Sequence, residues 1–406
     1  MSLDSPPVNP TRPAEALPTN VPETGGSCAP RLHIAVVAPP YFEVPPASYG
    51  GIEAVVAGLA DALVAAGHTV TLLGAGLPGT AADFLPLWTE PIPERLGQAL
   101  PEIAHALKSR HAIEQLVDRA KGCGVDLVHD HTLAGPINAA AYRELGLPTI
   151  ATVHNFVDSN LRDFYRELGV DVGLVAISDR QRQLSSDLNW VGRVHNAIRL
   201  PEWPFQASKD NYALFLSRFN PDKGPHLAIQ AAHAAGVPLV LAGKCVEQRE
   251  IAAFRDSVLP ALGRTDYVFG QADSVGKREL LAGARCLLLP LQWEEPFGMV
   301  MIEAMACGTP VVALNRGAVR EIIIDGVTGF ICDDPADLPA AIVRAKDLDP
   351  AACRHHVELN FNSAKMVVGY EQIYRQAVCA QSGQPARFRI RGAQPAPGSA
   401  FPAISA

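Results

Sequence analysis

Short apolar runs alternate along this chain with stretches of helical periodicity, and the whole alternation occurs twice. Leu32–Ala38 is an unbroken aliphatic run, followed by a loop containing Pro39, Pro40, Pro45, Pro46, Gly50 and Gly51. Ile52, Val55, Val56, Leu59 and Leu63 then recur at helical spacing before Gly67. Strands at His68–Leu73, Val125–His129, Thr149–Val153 and Val172–Ile177 continue the first series. The second starts at Tyr212–Ser217, with a helix at Pro225–Ala235 and strands at Pro238–Ala242, Tyr267–Phe269, Cys286–Leu289, Pro310–Ala313 and Gly329–Cys332. Continuous apolar runs belong to strands buried on both faces, and a helix must carry the chain from one parallel strand to the next. The pattern therefore predicts an α/β protein of two doubly wound, Rossmann-like domains. Leu200-Pro201-Glu202-Trp203-Pro204 lies between the two series and reads as a linker, because its prolines resist regular structure. The carboxyl ends of the strands in such sheets face the ligand, here across a cleft.

A chain of 406 residues with 48% hydrophobic and 19% charged residues has material for two cores. Its net charge of −8 argues against a nucleic-acid binder, which needs a basic surface. No apolar stretch reaches the ~18–20 residues of a membrane span, and the amino end lacks the pattern of a secretory signal. The eight cysteines contain no C-x-x-C pair, and Cys286 and Cys307 sit in apolar runs, so neither a zinc site nor a disulfide framework is expected. A reducing, cytoplasmic location follows as the expectation. Residues 1–30, with seven prolines, and residues 381–406 have the composition of disordered arms.

Several constellations fall at strand ends. Glu294 and Glu295 follow the Cys286–Leu289 run; Pro296, Phe297 and Gly298 lead into a helix from Met299 to Cys307, with Val300 in its first turn and Glu303 one turn inside. Unpaired N–H groups at a helix start suit phosphate or sugar oxygens, and two carboxylates so placed can accept from several hydroxyls of one polyol. On the residues alone, a solvated loop acid and a helix-capping acid are the plainer alternative, and this fits Glu294 well. Arg218 ends the Tyr212–Ser217 strand, and Asn220-Pro221-Asp222 presents Lys223 before the next helix. A guanidinium fork and an ammonium together can neutralise a diphosphate; equally, they can be surface cations with Asp222 pairing one of them. Ser48-Tyr49-Gly50-Gly51-Ile52-Glu53 opens the first helix without the spacing of a nicotinamide-binding loop. His129, His131 and His154 end parallel strands, with no further ligand cluster to make a metal site.

Taken in order, these segments resemble the family 4 retaining glycosyltransferases of GT-B fold (glycosyl transferases group 1), over roughly residues 31–380. Glu295 and Glu303 match the family's E-x7-E, and Arg218 and Lys223 match its G-R-x-x-x-x-K-G, with Ser217 where Gly is usual. The resemblance implies an acceptor-side domain at 31–199 and a nucleotide-sugar domain at 200–365. It also implies a terminal helix at 366–380 packing back on the first domain. It assigns His154, Arg218, Lys223 and Glu295 to catalysis. Donor binding falls to Gly50, Gly51, Arg218, Lys223, Glu295, Phe297, Gly298, Met299, Val300 and Glu303. His131 is a lesser candidate, and His129 is read as a satisfied core histidine. Ala197, where relatives carry Gly, and Val319 before Glu321, where relatives often carry Pro, depart from the family pattern without touching these contacts.

The implied reaction is metal-independent transfer of a hexose, with retention, from a nucleoside-diphosphate sugar to a hydroxyl acceptor, with no cofactor. A sugar-nucleotide 2-epimerase, a pyridoxal-phosphate glycan phosphorylase and a non-catalytic sugar-nucleotide binder are the rivals of the same fold. Asp347-Leu348-Asp349 spells a metal-binding D-x-D, but its place beside Pro350, after a helical segment, fits a solvated loop. The segment Arg95–Lys121 is helical and partly basic; Glu102, Glu114 and Asp118 interleave, so a solvated face is expected over membrane contact. Donor base, acceptor and oligomeric state are not legible.

Overall fold

The computed structural model describes residues 31–47, 50–119 and 124–381; the proposed arms, Ser48, Tyr49, Lys121 and Cys123 lie outside them. Seven parallel strands form the first sheet: β1 His33–Val37, β2 Thr69–Ala75, β3 Asp83–Trp88, β4 Leu127–Asp130, β5 Thr149–Val153, β6 Val172–Ala176 and β7 Trp190–Arg193. Their spatial order is β3-β2-β1-β4-β5-β6-β7. Six more form the second: β8 Ala213–Leu216, β9 Leu239–Ala242, β10 Tyr267–Gly270, β11 Cys286–Leu289, β12 Val311–Leu314 and β13 Gly329–Cys332, ordered β10-β9-β8-β11-β12-β13. All registered pairings are parallel. The two sheets give the α/β architecture of two doubly wound, Rossmann-like domains expected from the sequence.

Central strands β4, β5, β11 and β12 are buried along their whole length, as strands covered by helices on both faces must be. The order reverses between β1 and β4 and again between β8 and β11. Crevices therefore open there, at the carboxyl strand ends, where open α/β sheets hold ligands.

Two of the joins between the lobes involve residues after 360. Ile198 pairs with Asn362 in an isolated bridge, and helix Ser363–Gln381 crosses back onto the first lobe. Its Met366, Val367, Tyr370, Ile373 and Tyr374 are buried there among Leu59, Leu63 and Val194. Tyr370 Oη shares a hydrogen bond with Thr152 Oγ1 at 2.9 Å, and Tyr374 Oη with His129 Nδ1 at 2.7 Å. His129 is thus a satisfied core residue; burial pushes its imidazole down to about 3.

Candidate active site

Two loops at the mouth of the second sheet fix the charged groups. After β8 the chain turns through Pro221–Lys223, where the Asn220 side chain accepts from the Asp222 amide. Gly224 follows with φ 71°; a Cβ there would lie 2.1 Å from the Pro290 carbonyl oxygen, so only glycine lets the loops close. The Gln292 amide donates to the Asp222 carbonyl at 2.8 Å and zips the β8 loop to the β11 loop. This brings Lys223 Nζ to 2.5 Å from Glu295 Oε2 and 4.4 Å from the centre of the Trp293 ring, whose Nε1 donates to the same carboxylate oxygen at 3.2 Å. The two side chains are only 15% and 14% exposed, so the pair sits at the edge of the protein interior, where charges attract more strongly than in water.

Helix Met299–Ala306 is apolar nearly all round and is correspondingly buried, with Gly298 at its start and no side chain capping it. Its unfilled N–H groups face the cleft mouth, where Gly298, Met299 and Val300 line the cavity. Glu303 is the one acid in this helix, 6% exposed, and Lys277 Nζ meets it at 2.7 Å from helix Ser274–Gly283. Phe297 turns its ring into the core against His195 and Phe361, which leaves only its backbone for a donor.

Arg218 at the end of β8 lies 3.5 Å from Glu247 and 3.7 Å from the buried Glu250. It does not touch Lys223 directly; the two share a cavity of about 570 Å³ lined also by Gly50, Gly51, Glu295 and Glu303. Lys277, Lys244, Gly243 and Trp293 line it too. Sequence reading missed these, although Gly243-Lys244 directly after β9 is a signal of the kind that pointed to Arg218. Gly50, Gly51 and Arg218 also border a second cavity of about 820 Å³ over the first sheet, which contains His131 and His154. His131 Nδ1 and His154 Nε2 are 2.9 Å apart. Burial pushes His154 down to about 4 and His131 well below its ordinary value, so the pair is neutral at pH 7.

Four other acids have partners that the sequence reading does not name. Glu294 is no free loop acid: it accepts from Arg180 Nε at 2.8 Å and the Gly317 amide at 3.0 Å, and the Arg180 hydrogen bond holds its carboxyl below the usual range. Glu321 accepts from the amides of Asp179 and Arg180, both at 2.8 Å, and lies 3.1 Å from His195 Nε2. Glu294 and Glu321 therefore tie the lobes together behind the cleft. Asp349 is the N-cap of helix Pro350–Asn360, its side chain accepting from Ala351. Glu102, read from sequence as part of a solvated helix face, is only 8% exposed and accepts from Tyr41 Oη at 2.5 Å. Helix Ala99–Arg119 keeps Lys108, Arg110 and Asp118 exposed, as expected of a solvated face, and also exposes Leu100, Ile103 and Leu107.

The chain matches the family described as "Glycosyl transferases group 1" over residues 201–352 and "Glycosyltransferase Family 4" over residues 49–171. It is 29% identical over 401 residues to a glycogen synthase of Mycobacterium tuberculosis, covering 83% of this chain and 93% of the relative. It is 25% identical over 342 residues to a phosphatidyl-myo-inositol mannosyltransferase of Mycolicibacterium smegmatis, covering 77% and 84%. Among solved structures, Anabaena Alr3699/HepE in complex with UDP-glucose shares the fold, with TM-score 0.64 and 16% identity over 85% of this chain and 99% of that one. Among the described residues no helix is long and apolar enough to cross a membrane.

Proposed function

We propose retaining hexosyl transfer from a nucleoside-diphosphate sugar to a hydroxyl for this chain, which belongs to the group 1 glycosyl transferases and has their GT-B fold. The observation that carries the reading is the convergence of Lys223, Glu295, Arg218 and the Lys277–Glu303 pair on one cleft at a topological switch point. Lys223 and Arg218, with the free amides of Gly298–Val300, stabilise the diphosphate as the anomeric C–O bond breaks and charge moves onto the leaving oxygen. Glu295 and Glu303 accept hydrogen bonds from sugar and ribose hydroxyls. His154, neutral and lining the same cavity as Gly51, contributes to orienting the donor sugar and the incoming hydroxyl. The departing phosphate oxygen takes the acceptor proton on the same face, so no protein nucleophile, metal or cofactor is assigned a step. UDP-glucose, bound by the Anabaena relative, is the first donor to try.

The test is release of nucleoside diphosphate from UDP-, GDP- and ADP-sugars. Lys223→Ala should lower turnover about 10²–10³-fold, the scale of losing one preorganised charge-stabilising group, with the fold intact by circular dichroism. Unchanged turnover in folded Lys223→Ala overturns the assignment. NMR of the donor alone separates an epimerase, which would convert it without acceptor.

A further inference from the structure

The two cavities of the cleft differ in the cations that line them. Cations dominate the smaller one, where Arg199, Arg218, Lys223, Lys244, Lys277 and Arg278 outnumber Glu202, Glu295 and Glu303. In the larger cavity, over the first sheet, the carboxylates are Glu53, Glu102, Asp158 and Glu247, and the cation is Arg218, already beside Glu247. Asp158 is spent on capping helix Ser159–Leu168. Glu53 is 4% exposed, and no other described residue donates to its carboxylate. His131, 2% exposed, keeps Nε2 without a partner. Unsatisfied buried polar atoms are costly, and His131 belongs to the cavity wall. Phe42, Phe156, Phe164 and Tyr165 supply aromatic surface in the same wall.

From this wall we infer that the acceptor is an uncharged polyhydroxylated molecule, a saccharide or cyclitol, and carries no phosphate at the end that enters the cleft. Hydroxyls can donate to the carboxyl oxygens of Glu53 and Glu102, which accept whether or not the acid is protonated. The ring's C–H faces pack on the phenylalanines. Among the described residues of this wall a phosphate would meet no Lys or Arg but Arg218, already beside Glu247, so its charge would be desolvated without a free partner. A fixed cation fits no better, because burial pushes Glu53 up to about 7 and raises Glu102 as well, so neither acid holds a full negative charge firmly. The inference rests on the transferase reading above: the acceptor oxygen bonds to the anomeric carbon, the bond to the diphosphate oxygen breaks with its electron pair, and the hydroxyl proton leaves on the diphosphate.

The experiment measures nucleoside diphosphate release by the full chain with UDP-, GDP- or ADP-glucose, whichever it binds. Release is compared without acceptor and with glucose, maltose, maltotriose or myo-inositol. Parallel arms contain glucose 6-phosphate, glucosamine and vesicles containing phosphatidylinositol. At least one neutral compound should raise release about tenfold over the donor-alone rate, with a glycosylated product by mass spectrometry. Phosphorylated and aminated partners should stay at least tenfold less effective. Glu53→Gln should raise the KM of that acceptor about tenfold, one hydrogen bond's worth, more than it lowers kcat. Stimulation by the phosphate ester, the amine or the vesicles above every neutral compound overturns the inference; so does binding and slow hydrolysis of donor with no response to any neutral compound. Absence of donor binding altogether sinks the transferase reading instead.

Discussion

Glu321→Ala tests how the two lobes are held. The Glu321 carboxylate accepts two amide hydrogen bonds at the start of helix Asp179–Leu184 and faces His195 at 3.1 Å, with its side chain 20% exposed. Hydrogen bonds to a charged group contribute about 1.5–3 kcal/mol each when buried, and three in one cluster add less than their sum. Ser178 still caps the same helix through Gln181, and water can reach the edge of the gap. A net loss of about 2–3 kcal/mol follows, a fall on the order of 3–6 °C in Tm for a chain of this size. Differential scanning calorimetry reads it directly. The acid side supplies an internal control. Burial raises the Glu321 pKa, but the His195 hydrogen bond and the two amides outweigh that and leave the carboxyl below its ordinary value. A depressed carboxyl stabilises the fold fully above the unfolded-state value and loses that contribution as pH falls through the folded one. The gap between wild type and Glu321→Ala should therefore be constant at pH 6–8 and close below about pH 4. A variant within about 0.5 kcal/mol of wild type at pH 7, or a gap that widens in acid, refutes the reasoning.

Three further outcomes are expected. Gly317→Ala should cost about 2–4 kcal/mol and raise the donor KM, because Gly317 has φ 59° and an added Cβ would meet the Glu295 carbonyl oxygen at 2.1 Å; thermal shift and donor titration check it. Lys277→Ala should leave Glu303 buried without its partner and weaken donor binding about tenfold or more, read by calorimetry, whereas Lys277→Arg should recover part of it. His154 is held down near 4 by burial, so the unfolded chain takes up its proton first, and this residue's contribution to stability is present above about pH 6.5 and lost as pH falls toward 4. Imidazole ¹⁵N spectra should show His154 neutral throughout pH 8–5.5, and titration of His154 near 6.5 in the folded protein would contradict the buried pair.

What could be read from the sequence was what repeats locally. The strands found by their apolar runs are those buried on both faces, such as β5 and β11, whose limits match the reading residue for residue. The two missed strands, β3 and β7, are the edges of the first sheet. There the face toward solvent dilutes the apolar signal, and β3 contains Pro86, tolerated at an edge because no neighbour needs its N–H. The same limit governed the acids. Glu295 and Glu303 stood out because strand, loop and helix start are close together in sequence, so spacing carried their geometry. The partners of Glu294, Glu102 and Glu303 come from 114, 61 and 26 residues away, and no local pattern marks which cation or hydroxyl will reach them. Glu102 shows the consequence most directly. On a helix that alternates acids and bases it reads as solvated, yet the turn of the chain that carries Tyr41 closes over it. Burial then converts an ordinary surface acid into a wall of the cleft. The half of the site on the second sheet is written in contiguous motifs, because its strand ends, loops and helix starts follow one another closely in sequence. The half over the first sheet is assembled from scattered residues on separate loops, which can change singly without disturbing the sheet that holds them.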